Sequence, residues 1–411
     1  MIILGIETSC DETALALIET RNHDGHFECR VIQSMIHSQA ELHSAYGGVF
    51  PSLAKREHGR NIVPLLDKLL NESADALIDI KGQNREEFRI ENLEFREKLE
   101  SFKKELSGQN PELIQSLVDA DFLKNIPRID FIAVTEGPGL EPALWVGISF
   151  AQFLATLWKI PVLPINHMEG HIVGSLLKSD VPHGAWQELS ELPSPAIALL
   201  ISGGHTELVL VDSKTSISSP PAFQYSIIGR TKDDAVGEAF DKVARLLGLP
   251  YPGGPHVSKM AHEAYEAKIT SAVKLPRPMI ASGDLDFSFA GLKTAVLYAV
   301  QKAEAKGEFI EDFKKGLAYE FEQAVAETLE SKLHKAIEKS GAKAIVIGGG
   351  VGANHVLRKR FAAIADEFGI PIFMPSQHIS GDNALMIALA GSMHNEEATR
   401  PIKAEGTKRL G

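Results

Sequence analysis

The sequence predicts an α/β fold of two lobes with the same topology, and three observations support this. Apolar runs of strand length at Ile2–Ile6 and Ala14–Ile18 enclose a polar turn, and Ala196–Ile201 and Glu207–Val211 repeat the pattern. Each half continues with helical segments and a buried strand that runs into a glycine-rich loop. Alternation of strands and helices is typical of α/β domains. Because the order of elements occurs twice, we interpret it as a duplication of topology, with a first lobe at 1–194 and a second at 195–411.

The remaining elements follow from apolar periodicity. In the first half we expect a helix at Lys55–Leu70, a strand at Ile129–Thr135, a buried helix at Ala143–Trp158, a strand at Ile160–Ile165 and a helix from about His167. In the second half an amphipathic helix ends near Gly248. A strand at Ala344–Ile347 then leads into a glycine loop and a helix from about Asn354.

A charged segment between Asp75 and Arg128 interrupts this order. Its helix-favouring run, Arg85–Leu106, has mixed charges and few apolar positions. It is therefore a solvated helical insertion, an arm that docks a partner, or a disordered stretch.

Composition places the chain among ordinary globular proteins. It has 411 residues, 44% of them hydrophobic and 23% charged, with no run of about 18 apolar residues that would span a membrane. The start, MIILGIETSC, resembles neither a signal nor a transit peptide, and two cysteines do not suit a disulfide scaffold. We therefore expect a cytoplasmic location.

The formal net charge of −12 argues against a protein that coats nucleic acid by bulk electrostatics. Local basic groups occur at Lys55-Arg56, at Arg60, at Arg358-Lys359-Arg360 and between Lys403 and Arg409. Each is a solvated face or a contact for an anionic partner.

A pair of histidines carries the clearest chemical signal. His167 and His171 stand four residues apart, so on a helix both rings face the same way, as metal ligands require. The zinc-protease pattern H-E-x-x-H does not fit, because Glu169 is rotated about 200° from His167 on a helix. Asp382 is the best third ligand. An aspartate where a helix begins is, however, also a common cap.

Glycine-rich turns provide two candidate anion sites. Ser202-Gly203-Gly204 lies at a turn between strands, which either binds an anion through its main chain or is a plain turn. Gly348-Gly349-Gly350 follows a strand and precedes a helix, an arrangement that places phosphate at a helix N-terminus. It matches neither the Walker A loop nor the dinucleotide fingerprint. Asp241, in the amphipathic helix, contacts either a ribose hydroxyl or only solvent.

Eight motifs in order resemble the TsaD family of tRNA threonylcarbamoyl transferases. They cover nearly the whole chain outside the insertion: Gly5–Thr13, Gly137–Leu140, His167–His171, Ser202–Thr206, Gly237–Lys242 with Tyr251–Pro255, Ser288–Lys293, Gly348–Asn354 and Asp382–Ala384. The fold that this resemblance implies is the two-lobed actin/Hsp70-like nucleotide-binding architecture with duplicated topology, here carrying a helical insertion.

The resemblance also implies a set of site residues. His167, His171 and Asp382 match the family's metal ligands, for one divalent metal that is usually Fe²⁺ or Zn²⁺. Matches to substrate contacts are found at Leu200, Ile201, Ser202, Gly203, Gly204, Asp241, Gly254 and Asn354. A general base is not evident, and Asp11 and Glu12 in the first hairpin tip are candidates that otherwise only order the tip.

The implied reaction moves threonylcarbamoyl from its adenylate to the N6 amine of the tRNA adenosine next to the anticodon, with helper subunits of the TsaB and TsaE type. An ATP-dependent phosphotransferase on a small hydroxylated substrate is the alternative. A metalloprotease is disfavoured by Glu169, and a non-catalytic paralogue is expected to lose the metal ligands. Three features depart from the family: the insertion, Gly381 in place of threonine, and the acidic Glu136 and Glu141 beside the Gly137–Gly139 loop.

Overall fold

The computed structural model describes two mixed β-sheets with helices packed around them. The residues that it describes are 1–23, 26–74, 93–106, 108, 110–117, 120, 127–178, 184–213, 222–394 and 401–411. None of the described helices is both long and apolar enough to cross a bilayer.

The first sheet has the order β5-β4-β1-β2-β3-β6. Strand β1 pairs antiparallel with β2 and parallel with β4, so the predicted hairpin lies at the centre of the sheet. The bounds are β1 Ile2–Glu7, β2 Glu12–His23, β3 His26–Ser38, β4 Phe131–Gly137, β5 Val162–Asn166 and β6 Trp186–Glu188.

The second sheet repeats the core of the first, with the order β11-β10-β7-β8-β9. Its central strand β7 again pairs antiparallel with the next strand and parallel with a later one, β10. The bounds are β7 Ala196–Ile201, β8 Thr206–Ser213, β9 Phe223–Arg230, β10 Ala344–Gly348 and β11 Ile372–Phe373. The predicted duplication of topology in an α/β fold is therefore confirmed.

The helices predicted outside the charged insertion lie within a few residues of their expected positions, and the structure adds others that were not predicted. The described helices are α1 Ala40–Ser44, α2 Pro51–Glu72, α3 Leu93–Leu106, α4 Pro111–Ser116, α5 Glu141–Trp158, α6 His167–Gly174, α7 Val236–Leu247, α8 Gly253–Glu266, α9 Ala290–Lys306, α10 Glu311–Ser340, α11 His355–Phe368 and α12 Ala384–Ser392.

The described part of the charged insertion packs on the first sheet's helices. Residues 85–92 of the predicted helix lie outside the described residues, and α3 covers the rest. Leu106 is buried, and the ring of Phe102 stacks on Phe153 of α5 at 4.5 Å between centroids. One face of α3 therefore contributes to the core, which a fully solvated helix would not do.

The segments that follow the second sheet in the sequence pack against the first sheet. Helix α12 packs against β1, where Gly5 allows close approach because a Cβ there would lie 2.9 Å from the Cβ of Ala388. Farther on, Ile402 joins the core beneath the first sheet and Glu405 N donates to the carbonyl of Glu136. Residues 401–411 thus cover the loop that follows β4.

Candidate metal centre

Helix α6 presents the two predicted histidines from a capped N-terminus. The Asn166 side chain accepts hydrogen bonds from the main-chain N–H groups of Met168 and Glu169, which fixes where the helix begins. One turn then separates His167 from His171, and their ring centroids are 4.7 Å apart. Both side chains are buried. The expected common face of the pair is therefore formed.

Asp382, just before helix α12, contacts both histidine rings. Its Oδ1 lies 3.3 Å from Nε2 of His167 and 3.3 Å from Nε2 of His171. Asn383, not Asp382, caps helix α12, because the Asn383 Oδ1 accepts from Met386 N at 3.0 Å. The cap interpretation of Asp382 is thus wrong. Gly381 in place of threonine does not prevent its carboxylate from reaching the histidines.

A buried carboxylate orients the first histidine. Glu7, at the end of β1, is fully buried, and its Oε2 lies 3.1 Å from Nδ1 of His167. Thr135 donates to the same carboxylate, and the main-chain N–H of Ser9 donates to its other oxygen. Because a carboxylate only accepts, the proton of neutral His167 lies on Nδ1 and the Nε2 lone pair is free for a metal.

The protonation states of Asp382 and His171 suit metal binding, whereas a metal would have to displace a proton from His167. Burial opposes the charged His167 ring, but the charges of Asp382 and Glu7 outweigh burial and hold the pKa of His167 well above its usual value. Burial opposes ionisation of Asp382, but the charge and hydrogen bonds of His167 and then His171 outweigh it and hold the pKa of Asp382 well below its usual value. Burial lowers the pKa of His171, which favours the neutral ring. Metals bind ionised carboxylates and neutral imidazoles.

An unpartnered nitrogen shows that this pocket fits a cation. Nε2 of His171 is buried and makes no acceptably aligned hydrogen bond within the described part of the chain, although Asp382 is 3.3 Å away. Buried polar atoms without a partner are costly, so such an atom calls for an explanation. Ligand atoms of all three residues lie within 4.8 Å of one another, and a divalent metal would satisfy them together.

Glu169 takes no part in this cluster. Its Oε1 accepts from the hydroxyl of Tyr225 at 3.1 Å, and its Oε2 lies 3.1 Å from Nε2 of His394. The side chain therefore points away from the two histidines, as the spacing predicts. A zinc-protease mechanism would lack its general base.

Both glycine loops approach the metal cluster closely. Gly349 has φ +92°, and a Cβ there would overlap the main chain of Ile201. A Cβ on Gly348 would lie 3.0 Å from the Cβ of His171, so this loop also borders the histidine helix. Only glycine permits such approach at a positive φ.

The Ser202–Gly204 turn closes through two bonds between Ser202 and His205, and Gly237 N donates to the Ser202 carbonyl. A Cβ on Gly203 or Gly204 would meet no atom within 4 Å, so this side of the turn faces open space. Leu200 and Ile201 are fully buried in β7, so the exposed part of this predicted segment is Gly203 and Gly204.

The other predicted contacts have local hydrogen-bond partners. Asp241 Oδ1 accepts from Gly253 N at 2.7 Å, next to Gly254, and burial raises the pKa of Asp241. Asn354 caps α11 through its Oδ1, while its Nδ2 donates to Ser258 and Glu322. Both residues therefore fix the local main chain, and their contact with a nucleotide stays a prediction.

The first hairpin tip contacts the second half of the chain. The Tyr251 hydroxyl donates to Asp11 Oδ2 at 3.3 Å, and the Ser38 hydroxyl donates to Glu12 Oε1 at 3.2 Å. Burial, and then the charge of Asp11, raises the pKa of Glu12 well above its usual value. A carboxylate of this kind holds a proton more readily than an exposed one.

Sequence reasoning missed Glu7 and Tyr251 as parts of the site. The one signal for Glu7 was an acidic residue at the end of an otherwise apolar strand, Ile2–Ile6. Tyr251 stood in a turn noted only for its rigidity, and nothing in the sequence indicated its contact with Asp11.

Comparison with known proteins shows the family that the chain resembles. The sequence profile of the family TsaD, tRNA N6-adenosine threonylcarbamoyltransferase, matches residues 30–82 and 105–389, and so omits the middle of the insertion. Proteins named tRNA N6-adenosine threonylcarbamoyltransferase from Burkholderia lata and Burkholderia cenocepacia strain HI2424 are each 40% identical over 396 residues, covering 96% of this chain and 92% of the relative.

Among solved structures, component A of (R)-2-hydroxyglutaryl-CoA dehydratase from Acidaminococcus fermentans is 12% identical with a TM-score of 0.41, over 96% of both chains. The profile and the close relatives confirm the resemblance that the eight motifs indicated. The chain belongs to the TsaD family of tRNA N6-adenosine threonylcarbamoyltransferases.

Proposed function

We propose that this chain transfers threonylcarbamoyl from threonylcarbamoyl-AMP to N6 of adenosine 37, which lies 3′ to the anticodon, in tRNAs that read ANN codons, and releases AMP. The observation that carries the proposal is the convergence of His167, His171 and Asp382 beside two glycine loops. This combination suits a donor that carries both a phosphate and a polarisable carbamoyl group.

One divalent metal is held by His167, His171 and Asp382 in this proposal, and we assign it as Fe²⁺. Two histidines and one carboxylate with open positions are typical of non-haem iron, and the same donors also suit Zn²⁺. When bound, the metal polarises and positions the donor. Glu7 sets the His167 tautomer that makes Nε2 available.

The donor's nucleotide is held largely by main-chain groups. The segment Leu200–Gly204 offers its main chain to the phosphate chiefly at Gly203 and Gly204, which are exposed and border open space. Asp241 and Gly254 lie together at the start of α8 and take the ribose, and Asn354 completes the site from the start of α11.

The transfer needs no protein nucleophile, because AMP is already a good leaving group. The adenosine N6 attacks the carbamoyl carbon, the bond from that carbon to the phosphate oxygen breaks, and AMP departs with the bonding pair. The proton released from N6 passes to a carboxylate of the hairpin tip. Glu12, whose pKa is raised by desolvation and then by the charge of Asp11, is the first candidate because it accepts a proton more readily, and Asp11 is the second candidate.

We propose further that the protein acts in the cytoplasm with helper subunits of the TsaB and TsaE type, and that residues 1–194 and 195–411 form its two lobes. The net charge of −12 supports the need for partners in RNA binding.

A single-turnover experiment tests the function. Labelled threonylcarbamoyl-AMP is mixed with the metal-loaded protein and an unmodified tRNA that reads ANN codons, with and without the helper subunits. Label on the adenosine is the expected result, and a tRNA with guanosine at position 37 is the matched control. No transfer in any arm, with metal content verified, would reject the proposal and direct the test to ATP and small hydroxylated substrates.

A further inference from the structure

Two aromatic rings stand exposed on the loop between α1 and α2, which we call the cleft loop, residues 45–50. Tyr46 is 63% exposed and Phe50 is 52% exposed. Their rings stack with centroids 5.9 Å apart and an angle of 23° between planes. Leu42 and Ile36, on the elements that lead into the loop, are also more than 40% exposed. Contiguous apolar groups left in water typically mark an interaction surface.

The cleft loop is tied to the hairpin tip that carries the candidate base. The main-chain N–H of Gln39 donates to the Asp11 carbonyl at 2.9 Å, and Ser38 donates to Glu12. Gln39 precedes α1, the short helix that leads into the loop. A ligand on the aromatic rings would therefore lie close to the site of proton transfer.

Cationic groups surround the same loop. Arg245 of α7 is exposed, and its guanidinium donates to the main-chain carbonyl of Gly47. Lys55 and Arg56 follow Phe50 in the first turns of α2, and neither forms an ion pair with a carboxylate in the described part of the chain. Two acids neighbour the loop: Glu57 pairs with Arg60 at 2.6 Å, and Glu41 is exposed on α1.

The combination of stacked rings and free cations favours a nucleic acid. Unpaired bases stack on aromatic faces, whereas bases within a duplex expose only their edges. Phosphates next to such bases are held by Arg and Lys. In a chain of net charge −12, a locally basic aromatic surface stands out against the rest of the protein.

We propose that the cleft loop and Arg245 bind the unpaired anticodon loop of the tRNA, with bases stacked on Tyr46 and Phe50 and phosphates held by Arg245, Lys55 and Arg56. This rests on the proposed function and adds to it the surface that presents the adenosine. The stacked bases leave the neighbouring adenosine unstacked and near Glu12.

The test compares the double variant Tyr46→Ala/Phe50→Ala with Tyr298→Ala, a control that removes a 65% exposed aromatic ring on α9. Steady-state transfer is measured with helper subunits present, and binding is measured with an unmodified anticodon stem-loop RNA. We expect the double variant to raise KM for tRNA and Kd for the stem-loop about ten-fold or more, with Tyr298→Ala unchanged. A fully paired RNA duplex without a loop should bind both proteins alike.

A second variant tests the phosphate contacts. Arg245→Gln keeps a donor for the Gly47 carbonyl but loses the positive charge. The slope of log Kd against log salt concentration should therefore fall by about one unit, the value for one lost phosphate contact. Circular dichroism and thermal melting establish that each variant is folded.

Three outcomes separate the hypotheses. Unchanged KM and Kd in the folded double variant, while the wild type transfers normally, would overturn this inference and leave the proposed function intact. Normal RNA binding with loss of stimulation by the helper subunits would overturn it in favour of a protein interface. Absence of transfer by the wild type would reject the proposed function itself, whereas the stem-loop measurement would still decide on RNA binding.

Discussion

His58 donates from Nε2 to the main-chain carbonyl of Cys10, 3.0 Å away, and so links helix α2 to the hairpin tip. The other ring nitrogen, Nδ1, accepts from the Thr13 hydroxyl at 2.8 Å and faces the Gln39 amide. The ring is completely buried. A neutral imidazole thus fixes the main chain on both sides of the candidate bases Asp11 and Glu12.

Acid should weaken the fold through this histidine. Burial lowers the pKa of His58 from 6.5 to about 4, so between these values the unfolded chain binds a proton that the folded protein does not. The stabilisation is present above pH 6.5 and is lost as the pH falls through the folded pKa, at a cost of about 3 kcal/mol. Urea unfolding measured across this pH range should show that the free energy of unfolding falls more steeply for the wild type than for His58→Gln. Equal slopes would contradict the assignment.

Removing one metal ligand should abolish both metal binding and transfer. His171→Ala leaves His167 and Asp382, too few donors for a tight site. We expect metal content near zero and no transfer, with an unchanged circular dichroism spectrum. The matched control is Glu169→Gln, on the same helix but bonded to Tyr225 and His394. Full activity of a metal-free His171→Ala protein would contradict the assignment of the metal site.

The carboxylate behind His167 should tune affinity without being a ligand. Glu7→Gln removes the negative charge and leaves one acceptor oxygen for His167, Thr135 and Ser9 N, so the His167 tautomer is less firmly fixed and metal affinity should fall about 10- to 100-fold. Competition with a chelating dye measures it. Glu12→Gln, on the next strand, should keep wild-type affinity. A Glu7→Gln protein that binds metal as tightly as the wild type would show that Glu7 has only a structural role.

The same Glu12→Gln protein tests the proposed base. Loss of the proton acceptor should slow transfer about 10²- to 10⁴-fold, with KM for threonylcarbamoyl-AMP little changed. Asp11→Asn is the parallel variant, and the slower of the two identifies the base. Single-turnover rates near wild type in both would exclude the tip from proton transfer.

Truncating Lys408 should destabilise the fold. Its Nζ lies 2.5 Å from Oε1 of Glu136, which is only 2% exposed. Lys408→Ala leaves a buried carboxylate without this cation, at a cost of about 3 kcal/mol. Thermal melting of this variant, of Glu136→Gln and of the double variant gives the coupling. Additive effects would mean that the pair contributes nothing specific.

Local patterns in the sequence predicted much of the fold and part of the site. Strand β7 was predicted with its observed bounds, because an apolar run between polar turns is a local signal. Helical spacing alone predicted that the rings of His167 and His171 lie on the same face of the helix. The sequence did not reveal that Glu136, one of the acidic departures from the family, is paired with Lys408.

Contacts between residues far apart in the sequence could not be predicted from local patterns. Glu7 and His167 are 160 residues apart, and Tyr251 and Asp11 are 240 apart. Nor does any local pattern show that α12 belongs to the first sheet. Such pairings depend on how the sheets are assembled in space, which periodicity does not encode.

The return of α12 to the first sheet has a consequence for synthesis on the ribosome. Residues 384–392 cover apolar side chains of β1 and β2, yet they are translated more than 350 residues later. At about 5–20 residues per second, the nascent sheet keeps that face uncovered for roughly 20–75 s. During this interval the growing chain is a client for holdase chaperones. A ribosome that stalls before residue 384 would leave an aggregation-prone product.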